Sequence, residues 1–151
     1  MGARNIKHVF GWRAGVLVGF VDFFKGALVA YLARSFGFKL SWQLLSGVAV
    51  VAGHDFPVFA EFRGGQGMAA SLGTMSILFW QEFLIGLLFF TLIFLLTRHF
   101  DLSASVGFGL MVLFLVKNLK PLDSIVYSIF LLLVIPIKKI WDSHHPFTGG
   151  V

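Results

Sequence analysis

Asp22 and Lys25 stand three residues apart in VDFFKGALVA, inside an otherwise apolar stretch. On a helix that spacing puts a carboxylate and an ammonium on one face, close enough to pair and to lower each other's desolvation cost. Such a pair either ties helices together or serves a polar substrate, and the residues alone weigh both readings equally. Gly26, next to Lys25, removes a side chain and lets a second backbone or a ligand come close.

The densest chemistry lies in GHDFPVFAEFRGGQGMAAS, where His54, Asp55, Pro57, Glu61 and Arg63 precede Gly64, Gly65, Gln66 and Gly67. Glycines ahead of a helix expose backbone N–H groups, and the helix start adds its positive dipole end, so the stretch reads as an anion cradle. Arg63 would add charge-assisted hydrogen bonds to phosphate oxygens. The competing reading is helix packing through small residues, which the continuation Met68-Ala69-Ala70-Ser71 also suits. His54 serves either as a base or as a hydrogen-bonded helix terminus. A third polar stretch, TRHFDLSAS, brings Arg98, His99, Asp101, Ser103 and Ser105, with Arg98 most simply a membrane-orienting cation. Lys138 reads the same way. The pair His144–His145 has no matched second cluster, so no metal signature emerges.

These residues need elements to hold them, and composition says which. Of 151 residues 58% are hydrophobic, 19 are Phe and 13% are charged, with the charges gathered between long apolar runs. That is the pattern a bilayer imposes, and it excludes an ordinary soluble domain. The absence of cysteine removes disulfide frameworks and thiolate metal sites. A net charge of +5 without a basic patch in a polar domain favours lipid headgroups and phosphate-bearing substrates as partners over nucleic acid.

Apolar segments fall at 14–34, 40–53, 67–80, 83–97, 104–117 and 122–137. The expected fold class is therefore all-α: a polytopic membrane bundle of about six transmembrane helices forming a single membrane domain over 1–151. Some segments are short enough to re-enter rather than span. Arg4, Lys7, Arg13, Arg63, Arg98, Lys138 and Lys139 fall on one side, against Arg34, Lys39, Lys117 and Lys120 on the other. Seven against four makes the first side cytoplasmic, with polar loops at about 1–13, 54–66, 98–103 and 138–151. No cleavable signal peptide is read in MGARNIKHVFGWR.

The chain resembles the bacterial membrane acyl-phosphate:glycerol-3-phosphate acyltransferase family. Gly2-Ala3-Arg4-Asn5 resembles the end of that family's first motif. Asp22-Phe23-Phe24-Lys25-Gly26 matches its Asp-x-x-Lys-Gly element, and Gly53 to Phe59 followed by Phe62-Arg63-Gly64-Gly65 matches its longest motif. Thr97-Arg98-His99 through Ser103 matches a fourth region more loosely. The departures are as definite. The first membrane helix and the Gly-Ser-x-Asn half of the first motif are missing, so Met1 is expected to be a misplaced or truncated start. Gln66 stands where the family has a lysine, His8 where an arginine often follows, and the tail lacks the His-Arg-x-Asn-Ile signature.

The resemblance implies transfer of an acyl group from acyl phosphate to the 1-hydroxyl of glycerol 3-phosphate. The product is lysophosphatidic acid, the setting is the bacterial inner membrane, and no metal or other cofactor is required. It gives Lys25, Gly26, Arg63, Gly64, Gly65, Gln66, Gly67, Arg98 and Ser103 to substrate and phosphate binding, Asn5 and His54 to catalysis, and Asp22 to orienting Lys25. A divergent membrane partner or lipid-binding protein without catalysis, or a small transporter, would share the composition. A transporter needs polar groups at mid-membrane in several helices, and beyond Asp22 and Lys25 these spans are almost purely apolar.

Overall fold

The computed structural model describes residues 11–58 and 64–144, with side chains placed through residue 141. Among the described residues there are six helices and no strand, as the apolar segments require. They are α1 (Trp12–Ser35), α2 (Leu40–Asp55), α3 (Met68–Leu78), α4 (Trp80–Thr97), α5 (Phe100–Lys117) and α6 (Leu122–His144). Four of them, α1, α4, α5 and α6, are long and apolar enough to cross a membrane. The other two are shorter, with 16 residues in α2 and 11 in α3. At 1.5 Å per residue α3 rises only about 17 Å, well short of the roughly 30 Å hydrocarbon core.

Element ends differ from the sequence reading in several places: Trp12 and Arg13, read as loop, begin α1, and His54 and Asp55, read as loop, end α2. The break after α3 falls at Phe79, so Glu82 sits in the first turn of α4 instead of in a connection. Residues 100–103, read as loop, begin α5. Residues 138–144, read as polar tail, continue α6, even though Pro136 withholds one helical donor from the Leu132 carbonyl. The reversals use left-handed backbone where a helix must stop: Gly37 after α1, Arg98 after α4 and Leu119 after α5.

The bundle is apolar outside and polar within. Phe20, Leu28, Leu88, Leu113 and Leu133 face outward, while Asp22, Asp55, Glu82, Ser103, Ser128 and Lys138 are buried. A protein in water sorts these types the other way, whereas hydrocarbon leaves ionisable groups no choice but the interior. Close helix approach comes from small residues. A Cβ on Gly26 would strike the Ala70 carbonyl, and one on Gly73 the Phe23 carbonyl, so α1 and α3 cross backbone to backbone. Gly86 and Gly107 do the same for α4 and α5. Inside, the Tyr127 hydroxyl of α6 donates to Thr74 Oγ1 of α3 at 2.7 Å, over a gap that Gly47 of α2 leaves open.

Polar contacts gather at two ends. At one, Arg34 donates to the Ile77 carbonyl at 3.0 Å, Asn118 donates to Glu82 Oε1 at 2.8 Å, and Lys120 lies 3.6 Å from the same oxygen. At the other lie Asp22, His54, Phe56, Asp101, Lys138 and Lys139, with Lys139 donating to Asp101 Oδ2 at 2.8 Å. Replacing Gly26 with valine forces α1 and α3 apart and costs about 1–3 kcal/mol by overpacking. The expected result is a lower melting temperature in detergent than wild type; an unchanged melting curve would show that the crossing tolerates separation.

Candidate active site

Of the predicted site residues in α1 and α2, Lys25 and His54 converge on the carboxylate of Asp22. Asp22 is buried in the second half of α1's third turn, and Lys25, one turn on, donates to its Oδ1 at 3.2 Å. His54, at the end of α2, brings Nδ1 to 3.5 Å from the same oxygen. The carboxylate thus joins two helices and holds one ammonium. The Lys25 side chain is 57% exposed against 5% for Asp22, so the lysine reaches outward from the pair.

The glycine loop folds back on the end of α2. Gly64 N–H donates to the Asp55 carbonyl at 3.1 Å and Gly65 N–H to the His54 carbonyl at 3.2 Å. Two of the donors read as facing an anion are therefore spent inside the protein, because a buried N–H needs a partner whether or not a ligand is present. The glycines are needed for room. A Cβ on Gly64 would collide with the His54 carbonyl, and one on Gly65 with His54 Nε2. Gly67 has φ +65°, a left-handed turn into α3 that leaves the Asp55 carboxylate against its Cα. That carboxylate faces the positive end of α3, where the first-turn N–H groups have no partner within their own helix. Gln66 lies half-buried between Gly65 and Gly67.

His54 is accordingly held on both nitrogens' sides, by Asp22 at Nδ1 and by Gly65 beside Nε2. That placement suits an anchor for the loop and leaves the imidazole within the cluster. The apolar run of α2 ends at Gly53, and at His54 burial lowers the imidazole's affinity for a proton. Asp22 pulls the other way, and the charges of Lys25 and Lys138 again lower it. The net direction is down from 6.5, so the ring is neutral at neutral pH.

Gly26 lies against the Ala70 backbone in the α1–α3 contact. Arg98 caps α4 in an exposed, left-handed position, and Ser103 is buried with its hydroxyl donated to the His99 carbonyl at 2.8 Å. Both lie at the site's end of the bundle, without a hydrogen bond or ion pair to Asp22 or His54 among the described residues. Asn5 and Arg63 lie outside the described residues.

One residue went unrecognised. Lys138, read as a surface anchor, is 1% exposed and stands over the Phe56 ring with Nζ 5.2 Å from its centroid. The signal was available in the spacing: Ser124, Ser128, Leu131 and Lys138 fall on one buried stripe of α6. Its neighbour Lys139 points out to Asp101.

A polytopic helical membrane protein with a charged cluster at one end of its bundle is thus defined by the fold. The glycerol-3-phosphate acyltransferase family profile matches residues 1–145, and the chain belongs to that family. A glycerol-3-phosphate acyltransferase of Thermus thermophilus is 40% identical over 113 residues, covering 71% of this chain and 54% of the relative. One from Dehalococcoides mccartyi is 35% identical over 135 residues, 89% of this chain and 73% of its own length. A crystal structure of PlsY, an integral membrane glycerol 3-phosphate acyltransferase in its glycerol 3-phosphate form, superposes with a TM-score of 0.82 at 31% identity. It covers 98% of this chain and 74% of that one. The chain therefore spans about half the length of the Thermus relative.

The His54 shift sets a pH dependence. The unfolded chain takes up a proton near the ordinary 6.5, the folded chain only at lower pH, so acidification through 6.5 favours unfolding. The melting temperature of wild type should fall from about pH 8 to about pH 5 more steeply than that of His54→Gln. Parallel curves would mean that His54 titrates alike in both states.

Proposed function

We propose that the protein is an acyl-phosphate-dependent glycerol-3-phosphate acyltransferase, moving an acyl group from acyl phosphate to the 1-hydroxyl of glycerol 3-phosphate. Its place is the bacterial inner membrane, with the Asp22–His54 end of the bundle on the cytoplasmic face, as the Lys/Arg balance favours. The observation that carries the reading is the convergence of Asp22, Lys25, His54 and the Gly64–Gly67 loop, distant in sequence, into one cluster at one end of the bundle.

In the reaction the hydroxyl oxygen bonds to the acyl carbon, the bond from that carbon to the phosphate oxygen breaks, and inorganic phosphate leaves. The proton of the hydroxyl goes to His54 or to a phosphate oxygen of the substrate itself. Acyl phosphate is already activated, so the protein's part is to position two anions and to stabilise charge on the carbonyl oxygen. Lys25, steadied by Asp22, reaches out to hold phosphate. Arg63, one residue before Gly64, adds a second cation, and Asn5 orients the acceptor. Arg98, exposed at the rim, draws anions toward the site, and Ser103 secures the start of α5.

The acyl chain has a place as well. An apolar cleft of about 340 Å³ on the outer flank of α2 is remote from Gly67, but one of about 140 Å³ starts beside it. Met68 and Leu72 of α3, Leu87 and Phe90 of α4, and Phe100 and Phe108 of α5 line it. A donor lying there would carry its phosphate to the glycine turn.

Purified protein given palmitoyl phosphate and glycerol 3-phosphate should release phosphate and form lysophosphatidic acid. Lys25→Ala and Arg63→Ala should each lower the turnover of the folded fraction about 10- to 1000-fold, and Lys25→Ala should also lower the melting temperature, because it leaves the buried Asp22 carboxylate without its ammonium. Wild-type activity untouched by both substitutions would remove the cluster from the reaction, and inactive, well-folded wild type would overturn the acyltransferase reading.

A further inference from the structure

The apolar cleft beside the glycine turn has a direction, and the three helices that line it agree on it. On α3 the lining begins at Met68, the residue after Gly67. On α5 it runs from Phe100, next to Asp101 at the polar cluster's end, to Met111, a rise of about 17 Å. On α4, which runs the opposite way, it passes from Phe90 back to Gly86. Met68, Phe90 and Phe100 therefore form the mouth at the polar end of the bundle, and Gly86 and Met111 lie at the other end, inside the membrane-spanning part. No charged residue lines the cleft among the described residues.

The far end is walled. There α4 and α5 meet backbone to backbone, since a Cβ on Gly107 would press on the Gly86 carbonyl, and one on Gly86 would strike the Met111 side chain. Met111 is buried on Gly86, and Leu115, one turn further, is buried behind it. The flank differs, because Leu87 and Phe100 are exposed and open the cleft sideways to the bilayer. An acyl donor's chain already lies in hydrocarbon before it binds, so the cleft gains little by removing it from water. What the cleft adds is shape. A chain that ends short of the wall is accommodated, and one that reaches it meets a close-packed interior that yields only at a cost.

We propose that Met111, seated on Gly86, is the specificity-determining residue for the acyl donor: the wall that sets how long a chain the cleft takes when the donor's phosphate is at the glycine turn. This rests on the acyltransferase reading and adds to it the property of the donor that the protein selects. The occupant is the donor's chain because the mouth is continuous with the Gly67–Met68 turn, so a chain inside the cleft has its polar end at the cluster. Methionine suits the position, being unbranched and able to fill the irregular end of a cleft. Ala104, between mouth and wall, leaves the middle of the cleft open.

The test uses the full chain in mixed detergent micelles at a fixed mole fraction of donor, with wild type, Met111→Ala, Met111→Val and Ala104→Leu. Saturated acyl phosphates from decanoyl to eicosanoyl are assayed with glycerol 3-phosphate. Alkyl phosphates of the same lengths, which have no acyl carbonyl to transfer, give inhibition constants beside kcat/KM. Wild type should show an optimum length, with kcat/KM falling about 10-fold or more once the chain outgrows the cleft. Both Met111 variants should move the optimum toward longer chains, raising the relative kcat/KM of the donors just above the wild-type optimum about 10-fold. Ala104→Leu, which fills the cleft short of the wall, should move it toward shorter ones, and the alkyl phosphates should follow the same order. If the cavity left by Met111→Ala unfolds the chain, Met111→Val, which removes less, carries the same prediction. Wild-type length profiles in the folded Met111 variants, or a wild-type profile with no optimum, would overturn the proposal and leave the acyltransferase reading intact. Folded wild type that transfers no acyl group from any donor would overturn both.

Discussion

The carboxylate of Asp22 is shared between a lysine on its own helix and a histidine on the next, and the remaining features of the site follow from that sharing. A buried carboxylate in a membrane bundle is tolerated only when charge and hydrogen bonds answer it. Lys25 answers the charge, but its long stem lets the ammonium lean outward. His54 answers from α2, which fixes where that helix must end relative to α1. With the end of α2 fixed, the His54 and Asp55 carbonyls take the Gly64 and Gly65 N–H groups, and the chain is turned directly into α3.

That sequence of constraints explains why α2 and α3 are short while their neighbours are long. Both meet at the polar cluster, and neither can extend beyond it without carrying the cluster out of reach of α1. The α1–α3 crossing at Gly26 and Gly73 holds the same geometry from the other side, since backbones in contact leave no freedom to slide. The opposite end of the bundle has its own charged knot, with Glu82 receiving Asn118 and facing Lys120. It ties the start of α4 to the connection between α5 and α6. Between the two knots the interior is held by small residues, methionines and the Tyr127–Thr74 hydrogen bond.

The glycine loop changes meaning when seen folded. As a string, Gly-Gly-Gln-Gly before a helix reads as a ready cradle for phosphate. In the fold its first two N–H groups are engaged, and Asp55 lies against the third glycine. In the proposed reaction, anion holding therefore shifts toward side chains, Lys25 foremost, and toward the first turn of α3.

The sequence by itself determined the bilayer setting, the all-α class, the segments and the two sets of loop charges, because hydrocarbon sorts apolar and charged residues along the chain with little reference to tertiary detail. It also picked out Asp22, Lys25, His54 and the glycines, because ionisable groups in an apolar chain and glycines ahead of a helix are conspicuous one by one. Tertiary structure alone decided what each touches. Gly26 lies against Ala70, and His54 is clasped between Asp22 and Gly65. Lys138 and Lys139 are indistinguishable as neighbours in a string, yet one is buried over Phe56 and the other pairs with Asp101 at the surface. The physical reason is that α6 continues past the expected end of its span, and a helix turns successive residues about 100° apart, so only the continuation says which lysine points inward.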